Sequence, residues 1–302
     1  MTKTTTNLLL MLITILAGVY FYVMYCSSCG ASGQEEPMQE TVTAPVTPKA
    51  TSYPFALSDG AYAYNTNDNY NFNVSSSSFL TPLSQNVIDG IASLRTFFAE
   101  NTGKVINITG YYTSDENNNT AYPDLGFARA IAVKNHMAEI GIPSNQINTT
   151  SKLMDEMIPQ EAVYLGPVSF SIGEKAEDEE AALKVLYEKV KANPLVLYFD
   201  TAETTIDLTM EQRQEIADIS RYLDKVADAK VIIVGHTDDT GDAENNMVLG
   251  QNRADFAKDY LMRNGISAAK ISSTSKGQTE PIASNAMEEG KAKNRRTVVT
   301  LN

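Results

Sequence analysis

Residues 231–266 read VIIVGHTDDTGDAENNMVLGQNRADFAKDYLMRNGI. A short β-branched apolar run leads through an acidic loop into a segment where Leu249, Arg253, Phe256 and Tyr260 recur at i, i+4, i+7 and i+11. That spacing is one face of a 3.6-period helix, so the stretch is strand, loop, helix. Its oddity is chemical. A cation, Arg253, stands in the middle of an apolar stripe, just downstream of Asp238, Asp239 and Asp242.

The same stretch exists twice. INITG (106–110) aligns with VIIVG (231–235), each a strand ending in glycine, and a loop follows that is one residue longer in the first case. LGFARAIAVKNHMAEIGIPSNQINTTSK (125–152) then matches LGQNRADFAKDYLMRNGISAAKISSTSK (249–276) without a gap, at a constant offset of 124. Leu, Gly, Arg, Ala, Gly, Ile, Ile, Thr, Ser and Lys recur in register, the mark of two copies of one fold. Upstream, YNFNV (70–74) pairs with LYFDT (197–201) as an opening strand, and each is followed by a helical segment, 81–101 and 209–227. Gly141 and Gly265 stand where helix C-terminal caps belong.

Each copy therefore reads strand, helix, strand, helix, strand, final strand. In the second these are about 195–200, 209–227, 230–235, 246–264, 270–275 and 297–301. The order predicts an α+β fold, two βαβαββ domains in which helices pack on a mixed sheet. Between them, EKAEDEEAALKVLYEKVKA (174–192) starts acidic and ends basic, which suits a helix dipole; it is a spacer or a packed connecting helix.

Ahead of both copies, NLLLMLITILAGVYFYVMY (7–25) carries no charge and has the length of a membrane span, with Tyr20, Tyr22 and Tyr25 at its far end. Lys3 precedes it and Glu35, Glu36 and Glu40 follow, so the positive-inside bias puts the N-terminus in the cytoplasm. A cleaved signal peptide is the rival reading. No clean small-x-small site lies inside the run, although SSCGASG follows it, and YCSSC lacks the aliphatic residue expected three positions before a lipidated cysteine. Residues 30–52, rich in Thr, Pro, Gly and Ala, read as a linker with a relaxed span of roughly 25–30 Å. The organisation expected is thus an anchor (1–29), a linker (30–52), a first copy (53–173), a helical spacer (174–193) and a second copy (194–302).

Composition narrows the function. With 24 Lys+Arg against 37 Asp+Glu the formal charge is −13, which disfavours nucleic acid and anionic membrane surfaces as partners. The only cysteines, Cys26 and Cys29, sit beside the apolar run, and a lone Cys-x-x-Cys is a weak redox or metal signal. No metal or cofactor is expected. His236 stands among acidic residues, but Ala243 and Leu249 occupy the glycine and glutamate positions that an EF-hand loop requires. No G-x-S-x-G, Walker or H-E-x-x-H motif is present, so no enzyme is expected.

GHTDDTG, then Asn246, Leu249 and Arg253-Ala254, then Gly265-Ile266, then KGQTEPIASNAMEEGKAKNRRTVVTL resemble the OmpA-like domain family across residues 195–302. That family comprises peptidoglycan-associating C-terminal modules of outer-membrane proteins, peptidoglycan-associated lipoproteins and flagellar stator proteins. The resemblance implies non-covalent binding of peptidoglycan through the diaminopimelate of its stem peptide. Asp238 would accept the ligand ammonium and Arg253 would grip its carboxylate, a geometry suited to a bidentate guanidinium. Asn246 would cap the helix or touch the ligand, Thr237 and Thr240 would offer hydroxyls or backbone donors, and Arg295 is a further candidate. Asp239, Asp242 and Glu244 read as a solvated acidic loop, and Asn294 and Arg296 as residues that fix the turn before the last strand.

The first copy keeps Arg129 at the position of Arg253 but puts Thr113 or Ser114 at that of Asp238 and Tyr122 at that of Asn246. Asp115 substitutes only if the extra loop residue shifts it. A structural role, or an envelope-protein partner, is expected for residues 53–173, with little affinity for diaminopimelate. The whole then reads as a cell-envelope protein with periplasmic domains, tethering the inner membrane to the wall. The alternatives are an outer-membrane lipoprotein with the same wall-binding domain and a protein–protein adaptor or scaffold. A stator role is disfavoured, because the span 7–25 holds no protonatable carboxylate.

Overall fold

The computed structural model describes residues 3–25, 49–60, 62–198 and 208–302. Cys26, Cys29 and nearly all of the linker lie outside them. Helix α1 (Lys3–Tyr25) stands as a unit by itself. Its stretch Asn7–Tyr25 has a mean hydropathy of 2.2 and none of it is buried, so it is long and apolar enough to cross a bilayer. A signal sequence has the same length and composition.

The second unit, Pro48–Asn302, carries both copies. The first contains β1 (Phe55–Asp59), β2 (Tyr62–Thr66), β3 (Phe72–Asn73), α2 (Gln85–Glu100), β4 (Lys104–Tyr112), α3 (Leu125–Glu139), β5 (Ile147–Leu153), β6 (Val163–Tyr164) and β7 (Val168–Glu174). Helix α4 (Glu179–Ala192) connects to the second, which contains β8 (Leu195–Tyr198), α5 (Met210–Lys225), β9 (Val231–His236), α6 (Ala243–Arg263), β10 (Ile271–Gly277), α7 (Glu288–Asn294) and β11 (Arg296–Leu301). The sheets are β5-β4-β7 and β10-β9-β11-β8. In both, the strand before the arginine helix pairs in parallel with the strand after it and antiparallel with the last strand. The α+β architecture of mixed sheets and packed helices is therefore as expected.

Three details differ from the sequence reading. The opening strand of the first copy is only the two-residue β3, which pairs with β6 and not with the main sheet. Its flanking asparagines divert the backbone. Asn69 donates to Tyr53 O and Val168 O and accepts from Tyr70 N, while Asn71 accepts from Gly166 N. Side-chain bonds of this kind compete with a strand ladder. The hairpin β1–β2 lies against β7 instead, with Phe55 and Phe170 ring centroids 4.6 Å apart. The second detail is α7, a short charged helix within a segment that has no apolar period. The third is that α6 begins at Ala243, capped by Asp242, whose carboxylate accepts from Glu244 N and Asn245 N.

The first copy has its own core around Phe55, Ile91 and Ile108, and part of it also packs into the core of the second. Ala121, Tyr122, Ala128 and Ile131 of the first pack into the same apolar cluster as Leu223, Leu261 and Ile266 of the second. The Tyr122 hydroxyl donates to Asn264 O (2.8 Å), Asn135 donates to Gly265 O (3.0 Å), and Lys134 pairs with Asp224 at 2.5 Å. Tyr122 thus aligns with Asn246 in sequence but serves the contact between copies. Helix α4 is packed as well: Val190 is buried, Tyr187 lies against Tyr222 with centroids 5.6 Å apart, and Lys189 pairs with Asp218.

Candidate ligand-binding site in the second copy

The position of Arg253 follows from two glycines. Gly235 ends the regular part of β9 and Gly250 faces it from α6. A Cβ on Gly235 would lie 1.9 Å from Gly250 O. Only a hydrogen at both positions lets helix and strand backbones approach this closely. Ala254 and Ala257 continue the small-residue face, so the buried strip of α6 is Asn246, Gly250, Arg253, Ala254, Ala257 and Leu261. The large apolar residues at 249, 256 and 260, which define the stripe in the sequence, are half-buried flanks. Arg253 lies inside the strip, one turn beyond Gly250, and donates to His236 O at 3.2 Å, just past the end of the glycine contact. Its side chain is almost wholly buried, at 1% exposure.

The loop after β9 delivers Asp238 to the same place. Thr237 N bonds Gly277 O, and the Asp238 carboxylate accepts from Thr240 N at 2.9 Å through one oxygen and from Arg295 at 3.0 Å through the other. Arg295 also binds Glu288 at 2.8 Å. Burial by itself would raise the Asp238 carboxyl, but the Thr240 N–H and Arg295 hold it below the usual range. Burial draws Arg253 down, as does the neighbouring Arg295, while Asp238 opposes both. For Arg295, its two carboxylate partners outweigh burial and raise its pKa. Asp238, Arg253 and Arg295 therefore form one electrostatic cluster of two cations and one anion, with Glu288 at its outer edge.

Of the six residues singled out in the sequence, these three converge. The other three do different work. The Asn246 amide donates to Asp238 O, Thr240 O and Gln278 Oε1, so it braces the loop, and the capping assigned to it is done by Asp242. Asn246 lies a full turn inside the helix, where its own N–H is already spent on Asp242 O. The Thr237 hydroxyl turns inward to Asp238 O. Thr240 is exposed at the rim, where its hydroxyl accepts from Lys291 at 3.1 Å. Asn294, fully buried, binds Ile282 N, Ala283 N, Ala283 O and Asn285 Oδ1, and Arg296 donates to Glu280 O, so both brace the chain before β11. His236 is pushed down to about 4 by burial, reinforced by Arg296, and is neutral at neutral pH. Among the described residues no group of three or more His, Cys, Asp or Glu side chains is arranged to hold a metal. Glu288, Gln278 and Lys291 were not singled out in the sequence; all three lie in the polar stretch 276–293, where no period distinguishes one charge from the next.

The first copy builds the same anchor and then closes it. A Cβ on Gly110 would lie 1.9 Å from Gly126 O, and Arg129 donates to Tyr111 O at 2.8 Å, the counterpart of His236 O. Here, however, Glu116 meets the guanidinium in bidentate fashion, at 3.0 and 2.5 Å. Arg129 also donates to Ser76 O and lies between the rings of Phe72 and Tyr164, at 5.5 and 5.4 Å. Asp115, the substitute considered in the sequence, instead accepts from the Thr113 hydroxyl.

The family model described as the OmpA family matches residues 71–158 and 198–295, one segment in each copy. The chain belongs to the OmpA family. A peptidoglycan-associated lipoprotein from Buchnera aphidicola is 29% identical to this OmpA-family chain over 157 residues, covering 52% of it and 84% of the relative. The peptidoglycan-binding protein ArfA of Mycobacterium tuberculosis is 41% identical over 87 residues, 28% of this chain and 27% of that protein. The peptidoglycan-associated lipoprotein of Haemophilus influenzae is 39% identical over 93 residues, 31% of this chain and 61% of the relative. The alignment thus spans about a quarter of ArfA and three fifths of the Haemophilus protein. Among solved structures, the peptidoglycan-associated lipoprotein from Burkholderia pseudomallei is similar at 28% identity and a TM-score of 0.31, over 35% of this chain and 89% of that one.

Proposed function

We propose that this protein binds peptidoglycan non-covalently through its second copy and ties a membrane to the cell wall. The observation that carries the proposal is the buried cluster Asp238–Arg253–Arg295, one anion and two cations within reach of one another. The free end of diaminopimelate is a zwitterion, and such a cluster offers an acceptor for its ammonium and a guanidinium for its carboxylate. The names of the relatives, peptidoglycan-associated lipoprotein and peptidoglycan-binding protein, support the same class of ligand and a binding role, not a catalytic one.

Because Arg295 already holds one Asp238 oxygen, an arriving ammonium shares the carboxylate with it or displaces it toward Glu288. Thr240 and Lys291 stand at the rim, whereas Thr237 and Asn246 support the loop that carries Asp238. The N-terminal helix serves as the anchor (1–29) and residues 30–52 as the tether, with the wall-binding domain at 194–302. Mass spectrometry of the mature N-terminus separates an inner-membrane anchor from an outer-membrane lipoprotein.

The test is co-sedimentation of the full-length, detergent-solubilised protein with purified peptidoglycan. Asp238→Ala and Arg253→Ala should each weaken binding by ~1.5–3 kcal/mol, the range for charge-assisted hydrogen bonds, or roughly 10- to 100-fold. Retention equal to wild type in both variants removes the site.

A further inference from the structure

We propose that the first copy contains a carboxylate-binding site that the chain fills with its own Glu116. The site is built like the one in the second copy. The glycine pair brings α3 against β4, and the arginine three residues past the helical glycine bonds the carbonyl just past the strand glycine, Arg129 to Tyr111 O and Arg253 to His236 O. The two sites differ in what meets the guanidinium next.

The Glu116 carboxylate accepts four hydrogen bonds: two from Arg129, one from Ser75 N (2.9 Å) and one from Thr113 N (3.0 Å). Four is the full acceptor capacity of an ionised carboxylate. Its side chain is 1% exposed and that of Arg129 is 0%. Ser75 presents its N–H from a left-handed conformation (φ 58°), an uncommon one for serine, and its hydroxyl accepts from Asn117 N, which ties the glutamate's own loop to that segment. A bidentate guanidinium, two convergent backbone N–H groups and flanking Phe72 and Tyr164 rings are the parts of a receptor for a small organic carboxylate.

The loop alignment shows why one copy is filled and the other is not. Counted from the strand side, Glu116 corresponds to Gly241; counted from the helix side, to Thr240. Neither position carries a carboxylate, so the second copy has no counterpart of Glu116 in this loop. The first copy is therefore a receptor with a built-in ligand. This holds whatever the second copy binds.

Replacing Glu116 by alanine removes Cγ and the carboxylate, the two carbons of acetate. The experiment measures thermal unfolding of the full-length protein in detergent for Glu116→Ala, Glu116→Ala/Arg129→Met and wild type, in sodium acetate or sodium chloride of equal ionic strength. Acetate should raise the midpoint of Glu116→Ala by at least ~2 °C over chloride, because a ligand that binds only the folded state stabilises it. Wild type and the double variant should show no difference between the two salts. Equal midpoints of Glu116→Ala in the two salts overturn the proposal. If Glu116→Ala does not fold in chloride, recovery on refolding into acetate supports the site, and failure in both salts counts against it.

Discussion

Arg129 and Arg253 occupy equivalent places in two copies of one fold, reached by the same pair of glycines, yet their surroundings differ. In the first copy the guanidinium meets two backbone carbonyls, a bidentate carboxylate and the rings of Phe72 and Tyr164. In the second, the nearby carboxylate of Asp238 is engaged by Arg295, and the second cation depresses the ionisation of Arg253. An ion pair completed internally holds a structure together. A cluster with an excess cation invites a partner. The first loop is one residue longer and carries Glu116 where the second has Thr240 or Gly241.

The largest effect that would break this contrast is on stability. Arg129→Met strands a buried carboxylate, and removing one partner of a buried pair costs about 3–5 kcal/mol. Arg253→Met should cost less, about 1–3 kcal/mol, the scale of losing hydrogen bonds from a charged donor, while weakening peptidoglycan co-sedimentation roughly 10- to 100-fold. Denaturant unfolding of the two variants side by side checks the order, and equal losses would mean that the arginines have the same job.

A smaller effect sharpens the contrast from the other side. Thr240→Glu places a carboxylate at the rim where Glu116 closes the first copy. It should weaken peptidoglycan co-sedimentation about 10-fold, or ~1.4 kcal/mol, while Thr240→Ala stays within a factor of two or so of wild type. A glutamate variant that binds as well as the alanine variant would show that closure needs more than a local anion.

The smallest concerns pH. The carbonyl that anchors Arg253 belongs to His236, held near 4 by burial, whereas its counterpart is Tyr111. A histidine whose folded pKa lies below its unfolded value of about 6.5 binds fewer protons when folded. Its contribution to stability is present above pH 6.5 and declines as pH falls from there to about 4. His236→Gln should flatten the pH dependence of the unfolding midpoint across that window; an unchanged slope would assign the acid sensitivity elsewhere.

Much of this could be read from the residues alone. The repeat at constant offset and the strand–loop–helix periods are carried by residue type and spacing, whereas Asp238, Arg253 and Arg295 are picked out through the family resemblance. Other parts are not. The helix buries its small residues, Gly250, Ala254 and Ala257, because they permit the closest approach to the sheet, so a stripe drawn through the large residues is displaced by roughly 80° at about 100° per residue. Asn69 and Asn71 dissolve an opening strand by bonding backbone groups that a ladder would have used, and nothing in their spacing announces it. Glu116 sits in a polar loop beside Asp115, and which of the two reaches Arg129 depends on a path that only three dimensions fix.

The packed face between the two copies has a mechanical meaning. Tension applied between residue 49 and the second-copy site does not run through the covalent link at α4 alone. It is also borne in parallel by Lys134 against Asp224, by Tyr122 against the end of α6, and by the apolar cluster around Leu261. Separating the two copies therefore requires breaking this packed face as well as extending the link.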